Sequence, residues 1–216
     1  MIEFLTSFID VILHLDKYLT VIVDQYGAWI YALLFLVIFC ETGVVFTPFL
    51  PGDSLLFAVG ALASLGSMNI VLLYGLLVLA AVLGDTVNYW IGMYVGPKIF
   101  ERNIPFLKKE YLLRTEQFYE AHGNKTIMLA RFIPIIRTFA PFVAGVGKMK
   151  YPRFLFYNIV GGFAWITLFL FGGFFFGNIQ FIQENFSLVI LIIIALSFIP
   201  VIVEFIKHRK RNIKVQ

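Results

Sequence analysis

The sequence predicts an all-α integral membrane protein: an inverted repeat with two opposed re-entrant helical hairpins, plus spanning helices. Three observations predict it. Hydrophobic residues make up 60% of the 216-residue chain and charged residues only 14%, where a soluble domain would carry about 25% charged residues. Two apolar runs are interrupted by proline-rich turns, Pro48-Phe-Leu-Pro-Gly-Asp-Ser54 and Arg131-Phe-Ile-Pro-Ile-Ile-Arg-Thr-Phe-Ala-Pro141. Four charges, Glu41, Asp53, Arg131 and Arg137, fall in or beside these breaks. At bilayer depth each would cost at least ~3 kcal/mol unless paired or wetted. The length suits one polytopic domain over 1–216 rather than two.

The elements follow in order. Residues 1–25 are apolar but interrupted by Glu3, Asp10, Asp16, Lys17 and Asp24. Phe4, Phe8, Ile9, Val11, Ile12 and Leu15 recur at helical spacing, which predicts an amphipathic surface helix. The run 28–47 is apolar save Glu41 and Thr42, and Pro48, Pro51 and Gly52 then end it. The stretch 54–65 is apolar but too short for a span of about 20 residues. Residues 28–65 therefore read as a re-entrant hairpin, whose broken backbone must line a cavity or pack on protein. Residues 69–95 suffice to span, with Asp85, Asn88 and Tyr89 late in the run. The segment 97–125 mixes six basic residues with four glutamates and reads as a surface loop with one amphipathic helix. A second hairpin covers 126–147: inward over 126–133, turning over 134–141 with Pro134 and Pro141, and outward over 142–147. Two plain spans, 154–176 and 186–206, precede the basic tail 207–216.

Orientation follows from the basic residues. Lys207, Arg209, Lys210, Arg211 and Lys214 crowd the tail, and further lysines and arginines lie in 97–125 and 148–153. Placing all three groups in the cytoplasm satisfies the positive-inside rule. The first hairpin then opens outside, the second opens inside, and the C-terminus is cytoplasmic. The start of the chain, rich in acids, carries the wrong charge for a signal peptide. A nucleic-acid role for the tail lacks an accompanying folded domain. With Cys40 as the single cysteine, no disulfide can form within one chain.

Each half runs surface helix, hairpin, spanning helix. Pro48 and Gly60 in the first hairpin answer Pro134 and Gly145 in the second. The spans share an aromatic-to-glycine ending, Trp90 to Gly96 and Trp165 to Gly177. Opposed repeats with broken helices are a transporter architecture whose substrate site lies where the breaks meet. Glu41, Asp53, Arg131 and Arg137 would converge there.

The motifs Phe39-Cys-Glu-Thr-Gly43, Thr47-Pro-Phe-Leu-Pro-Gly-Asp-Ser-Leu-Leu-Phe57, Gly84-Asp-Thr-Val-Asn-Tyr89 and Leu129-Ala-Arg-Phe-Ile-Pro-Ile-Ile-Arg-Thr-Phe-Ala-Pro-Phe-Val-Ala-Gly145 carry a resemblance. Through them nearly the whole chain resembles the DedA family of bacterial inner-membrane proteins, which shares its hairpin core with eukaryotic VTT-domain lipid scramblases. The resemblance implies membrane transport with an essential pair of acids and pair of arginines, here Glu41, Asp53, Arg131 and Arg137. It also implies links to membrane potential, envelope integrity and cell division, and the flipping of lipid phosphates, notably undecaprenyl phosphate. Some family motifs carry Glu after the first Pro-Gly. Here it is Asp53, shorter by one methylene.

The residue types suit that work. Arginine grips phosphate oxygens with a rigid fork and stays charged, so Arg131 and Arg137 are the expected phosphate ligands. A carboxylate in a poorly hydrated site can take up a proton near neutral pH, so Glu41 and Asp53 are the expected proton-coupling pair. Ionised, they would hold the arginines; protonated, they would release them to the lipid phosphate. The same four residues could instead form a buried lock between the hairpins. Asp85 could line the path, or pair with a loop lysine near the cytoplasmic interface. Asn88 and Tyr89 fit packing and hydrogen bonding, and Gly161, Gly162, Gly172 and Gly173 fit close helix contact.

An enzyme is not expected. His14, His122 and His208 all lie outside the hairpins, so no histidine-centred base or metal site forms at the charges. The paired histidines of acid-phosphatase-type lipid phosphatases are lacking, and a two-carboxylate membrane hydrolase is the remaining enzymatic alternative. There is no Walker-type loop for ATP, and no cofactor is expected. The expectation is a flippase of a lipid-linked phosphate, best matched by undecaprenyl phosphate, in the bacterial cytoplasmic membrane and driven by protons or the membrane potential. Its partners would be the lipid phosphate, protons and the bilayer, with a homo-oligomer compatible. The alternatives are a phospholipid scramblase or proton-coupled small-solute exporter and, in another class, a non-transporting envelope or division assembly factor.

Overall fold

A computed structural model describes residues 27–44, 52–99, 123–177, 179–185, 188–189 and 191–193. The expected surface helix 1–25, Pro48 and Pro51, nearly all of the loop 97–125, most of the span 186–206 and the basic tail lie outside the described residues.

The described residues are helical and contain no strand. Helix α1 runs Trp29–Gly43, α2 Gly52–Ser64 and α3 Ile70–Ile99. A short 3-10 turn, Gly123–Lys125, leads into α4, Thr126–Ala130, and α5, Pro134–Val146. Helix α6 runs Tyr151–Phe176 and passes through a π turn at Thr167–Phe171. A short helix, α7, covers Gln180–Glu184.

Two of these helices are long and apolar enough to cross a bilayer, α3 over Ile70–Tyr94 and α6 over Tyr151–Phe176. At 1.5 Å per residue each exceeds a hydrocarbon core of about 30 Å. The fold is thus an all-α membrane protein. Leu79, Leu83, Val87 and Ile91 form an exposed stripe at four-residue spacing along α3, and Phe156, Ile159, Phe163 and Leu168 are exposed on α6. Apolar faces of this size suit lipid, not water. Helix α3 starts where Asn69 caps it: its side-chain oxygen accepts from the N–H groups of Val71 and Leu72 at 3.0 and 3.1 Å.

The second break differs from the sequence expectation of a turn over 134–141. The reversal occupies Arg131–Ile133, and 134–141 is already helical. Pro134 stands in the first turn of α5, where its missing N–H leaves nothing unpaired, and Pro141 lies inside the helix. Gly52 likewise opens α2 rather than sitting in a turn. The helix expected over 154–176 begins at Tyr151, three residues earlier.

The short helices straddle the long ones. Helices α1 and α5 pack on α3, while α2 and α4 pack on α6. The closest approaches are reciprocal. A Cβ on Gly60 of α2 would overlap the Leu170 carbonyl of α6, and one on Gly173 would overlap the carbonyl of Phe57. Between α5 and α3, Gly145 faces the Tyr89 carbonyl and Gly92 the Phe142 carbonyl in the same way. Small residues let membrane helices approach to backbone contact. Gly60→Ala and Gly145→Ala should each cost about 1–3 kcal/mol, as overpacking does. Gly75→Ala, a control with open space around it, should not lower stability. Thermal loss of the monodisperse detergent-solubilised protein measures this, and equal behaviour of all three variants would refute the packing account.

Candidate functional site

The broken ends of the short helices bring the buried charges together. Glu41 lies in the last turn of α1, Asp53 in the first turn of α2 and Arg137 early in α5. Arg137 uses its fork on both acids: Nη2 reaches Glu41 Oε1 at 2.5 Å and Nη1 reaches Asp53 Oδ1 at 2.8 Å. The guanidinium therefore ties α1 and α2 to α5. Glu41 is 1% exposed and Arg137 6%, so the charges are withdrawn from solvent and depend on one another. Gly52 fits this arrangement for a steric reason. A Cβ there would overlap the Glu41 carboxylate, so that carboxylate lies against the opening of α2, where the helix dipole favours a negative charge.

Arg131 forms a second pair. It follows the last residue of α4, and its Nη2 donates to Asp85 Oδ2 at 2.6 Å and to Asn158 Oδ1 at 2.5 Å. Asn158 of α6 in turn donates to the Val82 carbonyl of α3 at 3.0 Å. Gly161 and Gly162 abut the Arg131 side chain and make room for it. The expected convergence of four charges thus takes a specific form: Glu41, Asp53 and Arg137 in one group, Arg131 with Asp85 in the next. Of the two readings considered for Asp85, lining the path or pairing with a loop lysine, neither named the partner found among the described residues, which is Arg131. Asp85 is 2% exposed, and the neighbouring Arg131 cation offsets the cost of burying its charge.

Trp165 of α6 joins the groups. Its indole N–H donates to Asp53 Oδ1 at 2.8 Å, and its ring lies 4.9 Å from the Arg137 guanidinium carbon and 5.8 Å from that of Arg131. Both distances are within cation–π range. Asn88 braces the same region from α3: its amide donates to the backbone carbonyls of Thr42 and Thr138 at 3.1 and 2.8 Å. Those are the residues directly after Glu41 and Arg137.

The two arginines do not exhaust their donors. Arg131 Nε and Nη1 and Arg137 Nε are buried without a protein partner, as are the acceptors Glu41 Oε2 and Asp85 Oδ1. Buried polar atoms of this kind call for water or a ligand. Donors of an arginine fork suit the oxygens of a phosphate or other oxyanion.

Sequence reasoning missed Asn158 and Trp165 as members of the site. Asn158 left a signal, a lone amide within the apolar run 154–176. Trp165 left none, because a tryptophan in such a run ordinarily faces lipid or packs.

Residues 50–175 match the family model of the VTT domain. The chain is 52% identical over 205 residues to Protein DedA of Escherichia coli strain K12, covering 94% of each chain. It is 42% identical over 181 residues to an uncharacterized membrane protein of Mycobacterium tuberculosis strain H37Rv, covering 82% of this chain and 79% of that one. It is 35% identical over 140 residues to Inner membrane protein YqjA of E. coli strain K12, covering 64% of each. No solved structure matches.

Proposed function

The chain belongs to the DedA family of VTT-domain membrane proteins, and from that premise we propose that it is a flippase for a lipid-linked phosphate, undecaprenyl phosphate being the substrate that fits best. The observation that carries this reading is the set of buried arginine donors without protein partners beside carboxylates that hold the same arginines. A lock built only for stability gains nothing from unpaired buried donors, each of which costs about 1–3 kcal/mol.

In this reading Glu41 and Asp53 compete with the substrate for Arg137. Ionised, they occupy the fork; protonated, they free it for phosphate oxygens. Asp85 stands to Arg131 as the two acids stand to Arg137. Proton binding and phosphate binding are thereby linked, and the proton gradient or the membrane potential supplies the drive. The protein performs no covalent chemistry. The α1–α2 and α4–α5 pairs serve as re-entrant hairpins entering from opposite faces, forming an inverted repeat. Their helices are too short to span alone, 15 residues or fewer. The reciprocal glycine contacts with α3 and α6 support that symmetry. The location is the cytoplasmic membrane, with the C-terminus inside.

The test is headgroup translocation of labelled undecaprenyl phosphate and phosphatidylethanolamine in proteoliposomes, with and without a pH gradient. Movement of the polyprenyl lipid that accelerates with the gradient is expected. Movement of both lipids alike would favour the scramblase. No movement of either, with monodisperse protein, would exclude a lipid flippase and leave the small-solute exporter or the assembly factor.

A further inference from the structure

Trp165 touches both arginines and one of the acids. Its side chain is fully buried. Its indole N–H and Arg137 Nη1 share a single acceptor, Asp53 Oδ1, each at 2.8 Å. The ring is rigid. It cannot tilt to follow Asp53 or Arg137 without changing its distance to Arg131. On the far side, Arg131 is held by Asp85 and Asn158, neither of which is needed to seat the indole N–H. The glycines Gly161 and Gly162, one turn earlier on the same helix, seat Arg131 against α6. One helix therefore carries the contact surface of both ion pairs.

We propose that Trp165 is a positioning residue that couples the two ion pairs, so that a change at Asp53–Arg137 is felt at Arg131–Asp85 and the reverse. The proposal deepens the transport reading, on which its functional meaning rests: a phosphate engaged at one arginine would alter the readiness of the other. Cation–π contact and the shared hydrogen bond supply the coupling, since both depend on where the ring sits.

Fluorescence tests this on the full chain. The protein has three tryptophans, so Trp29→Phe with Trp90→Phe leaves Trp165 as the only indole. In that background Asp53→Asn alters a direct contact and should shift the emission. Asp85→Asn makes its change at the Arg131 pair, and a shift in emission maximum or yield is expected there too. Emission that responds to Asp53→Asn and stays unchanged in Asp85→Asn would overturn the proposal, because a tryptophan merely packed beside one pair behaves that way. Where Asp85→Asn does not elute as a monodisperse species, Asp85→Glu takes its place. It keeps the charge and displaces the Arg131 guanidinium by one methylene, with the same expectation and the same refuting result. The two readings fail separately. Proteoliposomes that move no lipid, with Trp165 still sensing Asp85, sink the flippase and leave the coupling. Lipid movement with emission insensitive to Asp85 does the opposite.

Discussion

Arg137→Ala is expected to destabilise the protein by about 3–5 kcal/mol and to abolish lipid movement, because it strands the buried Glu41 carboxylate and takes a cation from Asp53. Glu41 and Asp53 both rest on this guanidinium, at 2.5 and 2.8 Å, and Glu41 has no solvent to turn to. Stability alone does not separate a transport site from a lock, so the neutral triple variant is the informative one. Combining Arg137→Met with Glu41→Gln and Asp53→Asn removes the stranded charges and should recover most of the lost stability, as apolar or neutral replacement of buried ion pairs commonly does. Lipid movement should stay absent. Thermal melting in detergent and translocation in proteoliposomes, run on the same preparations, check both halves. A triple variant that is stable and still moves lipid would show the charges to be scaffolding.

The second large effect concerns Arg131→Lys. The side-chain hydrogen bonds of Arg131 to protein pass through Nη2, to Asp85, Asn158 and the Ala81 carbonyl, while Nε and Nη1 have no protein partner. A lysine ammonium offers one nitrogen in place of that fork. Its Nζ stands about one bond short of the Nη2 position but still places a cation beside Asp85, so stability should fall far less than on removing the charge. The unpartnered donors are lost, and if they serve phosphate oxygens the rate should fall about tenfold to a hundredfold, since a hydrogen bond to a charged group is worth about 1.5–3 kcal/mol. Unchanged transport by a stable Arg131→Lys protein would remove those donors from the substrate site. The same swap at Arg137 is a useful contrast. One ammonium cannot reach two carboxylates in the bidentate manner of the guanidinium, so Arg137→Lys should lower stability as well as rate.

Much of this site was visible in the chain before any tertiary contact was known. Glu41, Asp53, Asp85, Arg131 and Arg137 stand out because a charge in an apolar run has few innocent explanations. The long helices α3 and α6 follow from uninterrupted apolar length. Proline was a weaker guide. Pro134 and Pro141 suggested a turn across 134–141, yet a proline is accommodated in the first turn of a helix, and the interior one is carried by neighbours that surround it in the bundle. Local sequence cannot tell these cases apart, because the deciding contacts come from other helices.

Sequence by itself determined the membrane class, the two long apolar helices and the identity of the charges that must find partners. Those properties are local: they depend on composition, run length and the cost of a charge in hydrocarbon. Tertiary structure alone decided who pairs with whom. Arg131 with Asp85 spans 46 residues of chain, Arg137 with Glu41 spans 96, and Trp165 reaches Asp53 across 112. Partner choice at such separations depends on which helix faces are brought to backbone contact, here by Gly60, Gly173, Gly92 and Gly145. Those faces are set by packing between helices, which no periodicity within one helix encodes.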